Sequence, residues 1–137
     1  MQQTDKSRVK RAPQRGHYDK ETIYGILDAS QICHVAFVHN GYPVSIPTIF
    51  GRSGNKLYLH GASTSRMMVD LEKGIYISIS VAHIDGLVLA RSAFHHSMNY
   101  RSAVVFGTAK EVHGEEKEKG LLLISENILK GRWGEVR

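Results

Sequence analysis

The sequence predicts a mainly β fold with short helices, in which six antiparallel strands close into a small barrel. The first observation is a series of apolar segments with strand-like spacing between residues 33 and 112, separated by turn signals such as Asn40-Gly41 and Asp85-Gly86. The second is size, since 137 residues with 42% apolar side chains supply one hydrophobic core. Six strands in so short a chain expose edges unless the sheet closes on itself, and closure removes those edges.

The positive charge of the chain is concentrated at its N-terminus. Residues 1–16 carry five basic side chains and one acid, a net charge of +4, and the whole chain carries +5. We therefore expect a flexible basic leader over residues 1–16, followed by a single domain over residues 17–137. Because that domain is nearly neutral and contains no zinc-finger, aromatic RNA-binding or basic-helix motif, no nucleic-acid partner is predicted.

The sequence contains no segment suited to crossing a membrane, because every uncharged apolar run is shorter than the roughly 18 residues that a span needs. The basic start is not followed by the apolar core of a signal peptide. Cys33 is the single cysteine and has no partner for an intrachain disulfide, as is usual in a reducing compartment. These features predict a soluble cytoplasmic protein with no membrane partner.

Three short helices are predicted. The first spans residues 19–30, where Asp19 is the expected N-cap and Ile23 and Ile26 belong to an apolar stripe at helical spacing. The other two span residues 65–73 and 115–128.

Six strands are predicted from the apolar segments. Residues 75–81 alternate most clearly, which is typical of a strand with one face in a core. Cys33 lies among apolar neighbours in the first strand, so we expect a buried core residue and not a nucleophile. The predicted strands are 33–39, 42–50, 56–60, 75–81, 87–94 and 100–112.

The middle helix begins with the wrong charge for a helix N-terminus. The other two helices carry acids in the first turn, whereas this one opens with Gly-Ala-Ser-Thr-Ser-Arg at residues 61–66 and has no acid before Asp70. Hydroxyls, exposed amides, a glycine and a guanidinium together favour a bound phosphate. The alternative is that a hydroxyl merely caps the helix and Arg66 extends into solvent. Spacing alone leaves both interpretations open.

Several other kinds of site lack their motifs in this sequence. There is no Walker-type or Rossmann glycine motif, no nucleophile elbow for Ser-His-Asp catalysis, and no His-Glu-x-x-His or Cys-x-x-Cys metal motif. His95 and His96 are adjacent, so in a strand they point to opposite faces and cannot share an ion. No metal site is predicted.

Five segments together are similar to one family. A strand, a small-residue turn and a Ser-Arg helix start within a small antiparallel barrel resemble the FMN-binding split barrel of the pyridoxamine 5′-phosphate oxidase superfamily. The resemblance is most specific to the flavin-nucleotide-binding branch, to which nitroimidazole-resistance proteins are related. The segments are residues 11–16 (RAPQRG), 46–48 (IPT), 57–61 (LYLHG), 87–102 (LVLARSAFHHSMNYRS) and 131–133 (GRW).

The resemblance implies a homodimer that holds FMN at the subunit interface. By position, Ser65, Arg66 and the preceding turn hold the phosphate, and main-chain groups of residues 46–49 border the flavin ring, with His60 nearby. Residues 95–101 are expected to form the wall contributed by the partner subunit. The cofactor-binding residues implied in this way are Ile46, Pro47, Thr48, Ile49, His60, Gly61, Ser63, Ser65, Arg66, Met67, His96, Asn99 and Arg101.

The activity that the resemblance implies is that of an FMN-dependent oxidoreductase, which passes two electrons from a reduced donor, such as a nicotinamide nucleotide, to a small acceptor. Arg101 is the candidate for positive charge near the ring, and His60 and His96 are the candidate proton donors. The alternative is a non-catalytic flavin or heme carrier, or a sensor, because related split barrels bind heme through a histidine.

Three departures from the family pattern argue against oxidation of pyridoxamine phosphate itself. Met67 follows Arg66 where those oxidases have a lysine. Residues 46–50 are uncharged where the oxidases have an Arg-rich strand motif, and their C-terminal Arg-containing substrate motif is missing from this sequence. The chain ends soon after Trp133, so we expect part of the substrate region to be absent.

Overall fold

The computed structural model describes residues 3–11, 13–91, 96–131 and 134. Five strands are present in this part of the chain: β1 (Ile32–His39), β2 (Tyr42–Ser53), β3 (Lys56–Leu59), β4 (Ile77–Val88) and β5 (Ser97–Gly107). The three predicted helices are confirmed as α1 (Lys20–Asp28), α2 (Arg66–Leu71) and α3 (Gly114–Ile128), and a 3₁₀ turn spans Pro13–Arg15.

The strands form one antiparallel sheet in the order β3-β2-β1-β4-β5. The hairpin between β1 and β2 turns at Asn40 and Gly41, which have φ angles of 48° and 81°. Positive φ at both positions is what a two-residue hairpin turn requires, and Asn-Gly adopts it at low cost. The predicted turn at this dipeptide is confirmed.

The Asp85-Gly86 dipeptide does not turn the chain, which corrects the prediction of separate strands on either side of it. β4 continues through it, and the register against β5 shifts between Ile84, which pairs with Tyr100, and Gly86, which pairs with Asn99. Asp85 is therefore the extra residue of a β-bulge. A bulge and a tight turn favour the same small polar dipeptide, and here a long partner strand keeps the chain extended.

The sheet is open in the described part of the chain, because β3 and β5 are its two edges and no pairing joins them there. Since β4 takes up the start of the predicted strand 87–94, five strands are present where six were predicted. Residues 92–94 of that predicted strand lie outside the described residues. The mainly β class is confirmed, whereas six strands and closure into a barrel are not confirmed.

The hydrophobic core is formed by one face of the sheet together with side chains of α1 and α2. Cys33 is fully buried there, as predicted, and burial raises the pKa of its thiol to about 11. The core residues are Ile26, Leu27, Cys33, Val35, Phe37, Phe50, Met67, Leu71, Ile77, Ile79, Val81 and Ala103.

Helix α3 packs closely across β2 and β3. A Cβ atom added at Gly51 would lie 2.6 Å from the carbonyl carbon of Leu123, and one added at Gly120 would lie 2.7 Å from the ring of Tyr58. These contacts require glycine on both sides of the interface. Neither α3 nor any other helix in the described ranges is long and apolar enough to span a membrane.

The described part of the basic leader lies against the domain. The ammonium group of Lys6 is 4.1 Å from the ring centre of Tyr76 and 5.5 Å from that of Phe106. The backbone N–H of Val9 donates a hydrogen bond of 2.6 Å to the Tyr18 hydroxyl. The cation therefore has two aromatic partners, one directly before β4 and one in β5, and the flexibility of the leader stays a prediction.

Candidate functional site

The segment between β3 and α2, residues 60–65, lies at the surface and presents small polar groups; together with Arg66 we call it the 60–66 corner. Residues 60–64 are exposed. Ser65 is the N-cap of α2, with its side chain accepting a hydrogen bond of 3.2 Å from the N–H of Met68. Of the two interpretations of the hydroxyls, capping is thus confirmed for Ser65, whereas Ser63 and Thr64 have no hydrogen-bond partner among the described residues.

Arg66, the first residue of α2, is exposed and forms no ion pair or hydrogen bond with another described residue. The first turn of α2 contains no acidic residue, and the buried Asp70 nearer its end is engaged with His39 and Lys73. No described residue therefore neutralises the positive end of the helix or the guanidinium of Arg66 at this point. An anion at the corner would remove that repulsion.

The corner is packed onto the helix that follows it. A Cβ atom at Gly61 would lie 3.0 Å from the Met68 methyl carbon, so a larger residue would displace the methionine. Met67 is buried in the core, which leaves its backbone N–H, and not its side chain, to serve the predicted cofactor contact. Thus Met68, not Met67, is the methionine that faces the corner.

A large open cleft, with a volume of about 2380 Å³, has both edge strands of the sheet in its lining. Five of the predicted cofactor-binding residues line it: His60, Gly61, Ser63, Asn99 and Arg101. The fold therefore brings part of the 60–66 corner and part of β5 to one cavity. Among the described residues, the predicted positions 46–49, 65–67 and 96 lie outside its lining.

The segment predicted to border a flavin ring lies within β2. Residues Ile46, Pro47, Thr48 and Ile49 pair with Val35, His34, Cys33 and Ile32 of β1. Ile46 packs against the core, and Pro47 is exposed. Ile46 therefore faces the core and Pro47 faces solvent. The contact of this segment with a flavin ring stays a prediction.

Residues of β5 and the segment before it have partners within the protein. Arg101 forms an ion pair with Asp85, with Nε 3.0 Å from Oδ2. His96 Nε2 lies 2.6 Å from the Ala90 carbonyl oxygen and donates to it. Arg101 is therefore not a free cation, and His96 uses one nitrogen structurally. Their proposed roles near a flavin stay predictions, and His95 lies outside the described residues.

His60 follows the end of β3, is exposed, and lines the cleft. It forms no hydrogen bond with another described residue, so both ring nitrogens are accessible. Of the three histidine and arginine candidates for catalysis, His60 alone both lines the cleft and lacks a partner in the described part of the chain. It is the candidate proton donor that the geometry favours.

A histidine–aspartate pair that joins the end of β1 to α2 was not predicted from the sequence. His39 Nδ1 lies 2.5 Å from Asp70 Oδ2, and Lys73 Nζ lies 3.2 Å from Asp70 Oδ1. The hydrogen bond from His39 is the main cause that lowers the pKa of Asp70, against the opposing effect of burial. The only signal in the sequence was an acid within the otherwise apolar run of α2, Met67 to Leu71.

A second unpredicted pair joins α1 to β4, but its hydrogen bonds do not suit hydrolysis. Ser30 donates to the Ile26 carbonyl at 3.1 Å, and His83 Nε2 lies 2.6 Å from Ser30 Oγ and 3.2 Å from the same carbonyl. Since the carbonyl oxygen only accepts, Nε2 carries the proton and donates. His83 therefore cannot take a proton from Ser30 in this arrangement. No group of three metal-ligating side chains occurs in the ranges described.

Residues 19–137 match the family model described as pyridoxamine 5′-phosphate oxidase. The chain belongs to the pyridoxamine 5′-phosphate oxidase family. The match spans all three helices and all five strands, so the resemblance found in the sequence segments is confirmed. A comparison with curated proteins found no match.

Two solved structures that are similar to this chain are flavin proteins, and one of them also binds heme. A FAD and heme binding protein from Mycobacterium smegmatis is 36% identical, with a TM-score of 0.80, over 87% of this chain and 58% of its own. A flavocytochrome from Azotobacter vinelandii is 38% identical, with a TM-score of 0.86, over 98% of this chain and 63% of its own. The chain thus spans about three fifths of the length of both structures.

A third structure connects the chain to the branch named in the sequence analysis. It is a candidate 5-nitroimidazole antibiotic resistance protein from Bacteroides thetaiotaomicron, 26% identical over 82% of this chain and 68% of its own, with a TM-score of 0.69. The three structures therefore share the fold of the family.

The residues of the 60–66 corner fit the phosphate of a flavin nucleotide. The exposed hydroxyls of Ser63 and Thr64 can donate, and Arg66 supplies an unneutralised guanidinium. No carboxylate contacts these groups among the described residues. The donor set is therefore suited to a doubly charged phosphate ester at a surface position.

Proposed function

We propose that this protein binds a flavin nucleotide, FMN, in the cleft beside the 60–66 corner and uses it in electron transfer between small molecules. The observation that carries the flavin part of the proposal is the 36–38% identity, over 87–98% of the chain, to two structures whose names are those of flavin proteins. The choice of FMN rests on the resemblance of the sequence to the FMN-binding split barrel. Family membership supports the same proposal independently. Bound flavin supplies the capacity to accept and release two electrons, and the protein binds and orients it.

The phosphate end of the cofactor is assigned to Arg66 with the hydroxyls of Ser63 and Thr64. All three groups are exposed and are free of protein partners in the described part of the chain. The ring is assigned to the cleft side of the corner, near His60 and Asn99, which line the same cavity. Because these groups are exposed, we expect one subunit alone to leave part of the ring open to solvent.

A homodimer completes the proposed site. The outer face of β4 and β5 carries exposed apolar side chains on paired positions, Ile84 with Tyr100 and Leu87 with Met98. An apolar surface of this kind is typical of an interface between subunits. A second copy covering it would bury these side chains and add a wall to the open cleft.

The substrate proposed is a small acceptor other than pyridoxamine phosphate, with a nicotinamide nucleotide as the electron donor. The support is the uncharged segment 46–50, where the oxidases have an Arg-rich motif, so that cations for a substrate phosphate are missing there. Met67, in place of a family lysine, further lowers the positive charge at the cofactor-phosphate turn. A cytoplasmic location belongs to the same proposal.

A flavin–heme electron carrier is the second candidate function. It is favoured by the names of the two structures above, one a FAD and heme binding protein and the other a flavocytochrome. On this alternative the flavin is FAD and a histidine with a free nitrogen ligates the heme iron. Four histidines meet that requirement, since they are exposed and have no hydrogen-bond partner for the side chain among the described residues: His17, His34, His60 and His113.

Absorption spectra of the purified protein, before and after addition of FMN, FAD or heme, separate these functions. Flavin bands, with FMN released on denaturation and turnover of a nicotinamide nucleotide, support the enzyme. A Soret band together with released FAD, and no turnover, supports the carrier. A colourless protein whose spectrum does not change with any of the three ligands contradicts both.

A further inference from the structure

The end of β1, at the first hairpin, is joined to α2 by a hydrogen bond to a buried carboxylate. His39, the last residue of β1, donates from Nδ1 to Asp70 Oδ2 at 2.5 Å, and the Asp70 side chain is only 3% exposed. Lys73 approaches the other carboxylate oxygen at 3.2 Å from the helix end. The next residue, Asn40, has a positive φ of 48°, the left-handed conformation that this two-residue hairpin turn requires.

Helix α2 depends on such contacts because it has only six residues. A helix of this length is not stable in water by itself and is held by tertiary packing. Its buried side chains are Met67, Asp70 and Leu71. One of these three anchors is therefore a carboxylate, and a buried carboxylate is tolerated only with partners for its charge. His39 is the partner that comes from another element.

The position of α2 determines the position of the 60–66 corner. The N–H of Ser65 donates to the Ala62 carbonyl at 2.9 Å, and the N–H of Val69 donates to the Ser65 carbonyl at 3.0 Å. Gly61 packs against Met68 on the same helix. The corner and α2 therefore form one hydrogen-bonded unit, and a shift of the helix shifts the corner with it.

We propose that His39 and Asp70 are positioning residues for the phosphate-binding corner. They hold α2 against the first hairpin, and through it they place Ser63, Thr64 and Arg66 for a phosphate. The inference rests on the proposed flavin function and extends it to residues that do not line the cleft. It assigns these residues no contact with the cofactor.

The test compares binding of FMN with binding of riboflavin, which lacks the phosphate. The variants are His39→Ala, which removes the donor, and His39→Asn, whose amide nitrogen can replace Nδ1. His83→Ala is the matched control, because it removes another histidine hydrogen bond between elements, the one with Ser30, and neither residue lines the cleft. Amide hydrogen exchange of residues 61–68, without flavin, reports the order of the corner directly.

We expect His39→Ala to weaken FMN binding roughly tenfold while riboflavin binding changes little, since loss of a hydrogen bond to a charged group is an effect of this size. We also expect faster exchange at residues 61–68, with both effects partly reversed in His39→Asn and absent in His83→Ala. If His39→Ala does not fold, His39→Gln and Asp70→Asn are compared in its place, with the same losses expected.

Two results overturn the positioning role. One is equal loss of FMN and riboflavin affinity in proportion to lost stability, which indicates a structural role alone. The other is unchanged exchange at residues 61–68 with an unchanged ratio of FMN to riboflavin affinity. If the wild-type protein binds no flavin, faster exchange at the corner in His39→Ala still supports the positioning role and contradicts the proposed function instead.

Discussion

Arg101 and Asp85 form a two-point ion pair across the β4–β5 ladder, at the bulge that Asp85 itself creates. Nε lies 3.0 Å from Oδ2 and Nη2 lies 3.2 Å from Oδ1. Both residues line the cleft, and their side chains are 50% and 39% exposed. The bulge therefore supplies an acid that offsets the charge of Arg101 at the edge of the proposed flavin site.

Replacing Asp85 by Asn tests the effect of this pair. Because exposed ion pairs contribute little, the free energy of unfolding measured in urea is expected to change by less than about 1 kcal/mol. Release of the Arg101 charge is expected to strengthen FMN binding a few-fold at low salt. Riboflavin, which has no phosphate, is the control. Weaker FMN binding in Asp85→Asn would show that the acid assists the cofactor.

Alanine is expected to have opposite effects at two glycines, one in the interface between α3 and β2 and the other on the exposed side of α1. A Cβ at Gly51 meets the backbone of Leu123, so Gly51→Ala is expected to destabilise the protein by about 1–3 kcal/mol. A Cβ added at Gly25 in α1 has no atom within 4 Å, so Gly25→Ala is expected to stabilise by about 0.5–1 kcal/mol. Urea unfolding of both variants measures this difference, and equal effects would contradict the described interface.

Local signals predicted much of this fold. Asp19 caps α1 as expected, accepting from the N–H of Thr22 at 2.9 Å, because capping involves only neighbouring residues. Asn40-Gly41 turns the first hairpin for the same reason. The turn predicted at Asp85-Gly86 is wrong because the partner strand, and not the dipeptide, decides between a turn and a bulge.

The candidate site could be predicted only in part. The missing acid in the first turn of α2 identified the 60–66 corner, since that signal is local. The pairing of Asp70 with His39 joins residues 31 positions apart, and no spacing rule connects them. The partner of Arg101 was missed for a related reason, because Asp85 reaches it only when β4 continues past the predicted turn.

Burial of Cys33 predicts slow thiol chemistry in the native protein. Desolvation raises the pKa of this thiol from 9.0 to about 11, so little thiolate exists at pH 8. Alkylation by iodoacetamide at pH 8, followed by mass spectrometry, is expected to be slow in buffer and fast in denaturant. Fast alkylation of the folded protein would contradict the buried position of Cys33 in β1.

The lowered pKa of Asp70 predicts a loss of stability in acid. A carboxyl whose pKa is lower in the folded protein than its ordinary value of 3.8 stabilises the fold above that value. The stabilisation is lost as the pH falls from about 4 through the folded-state pKa. The stability difference between wild type and Asp70→Asn is therefore expected to be largest near neutral pH and to shrink below pH 4.

Urea unfolding of both proteins between pH 7 and pH 3 measures that difference. Glu116 also has a lowered pKa, mainly through its hydrogen bond from Lys56, so Glu116→Gln serves as the comparison for a half-buried acid. A difference for Asp70→Asn that does not change with pH would show that the carboxylate charge is not what the pair stabilises.

The central claim is that the 60–66 corner binds the phosphate of a flavin nucleotide, and the affinity of FMN relative to riboflavin tests it most directly. We predict that the wild-type protein prefers FMN and that Arg66→Ala weakens FMN binding roughly tenfold without affecting riboflavin. Lys119→Ala, an exposed charge on α3 outside the cleft lining, is expected to change neither affinity. Equal affinity of wild type and Arg66→Ala for FMN would contradict the claim.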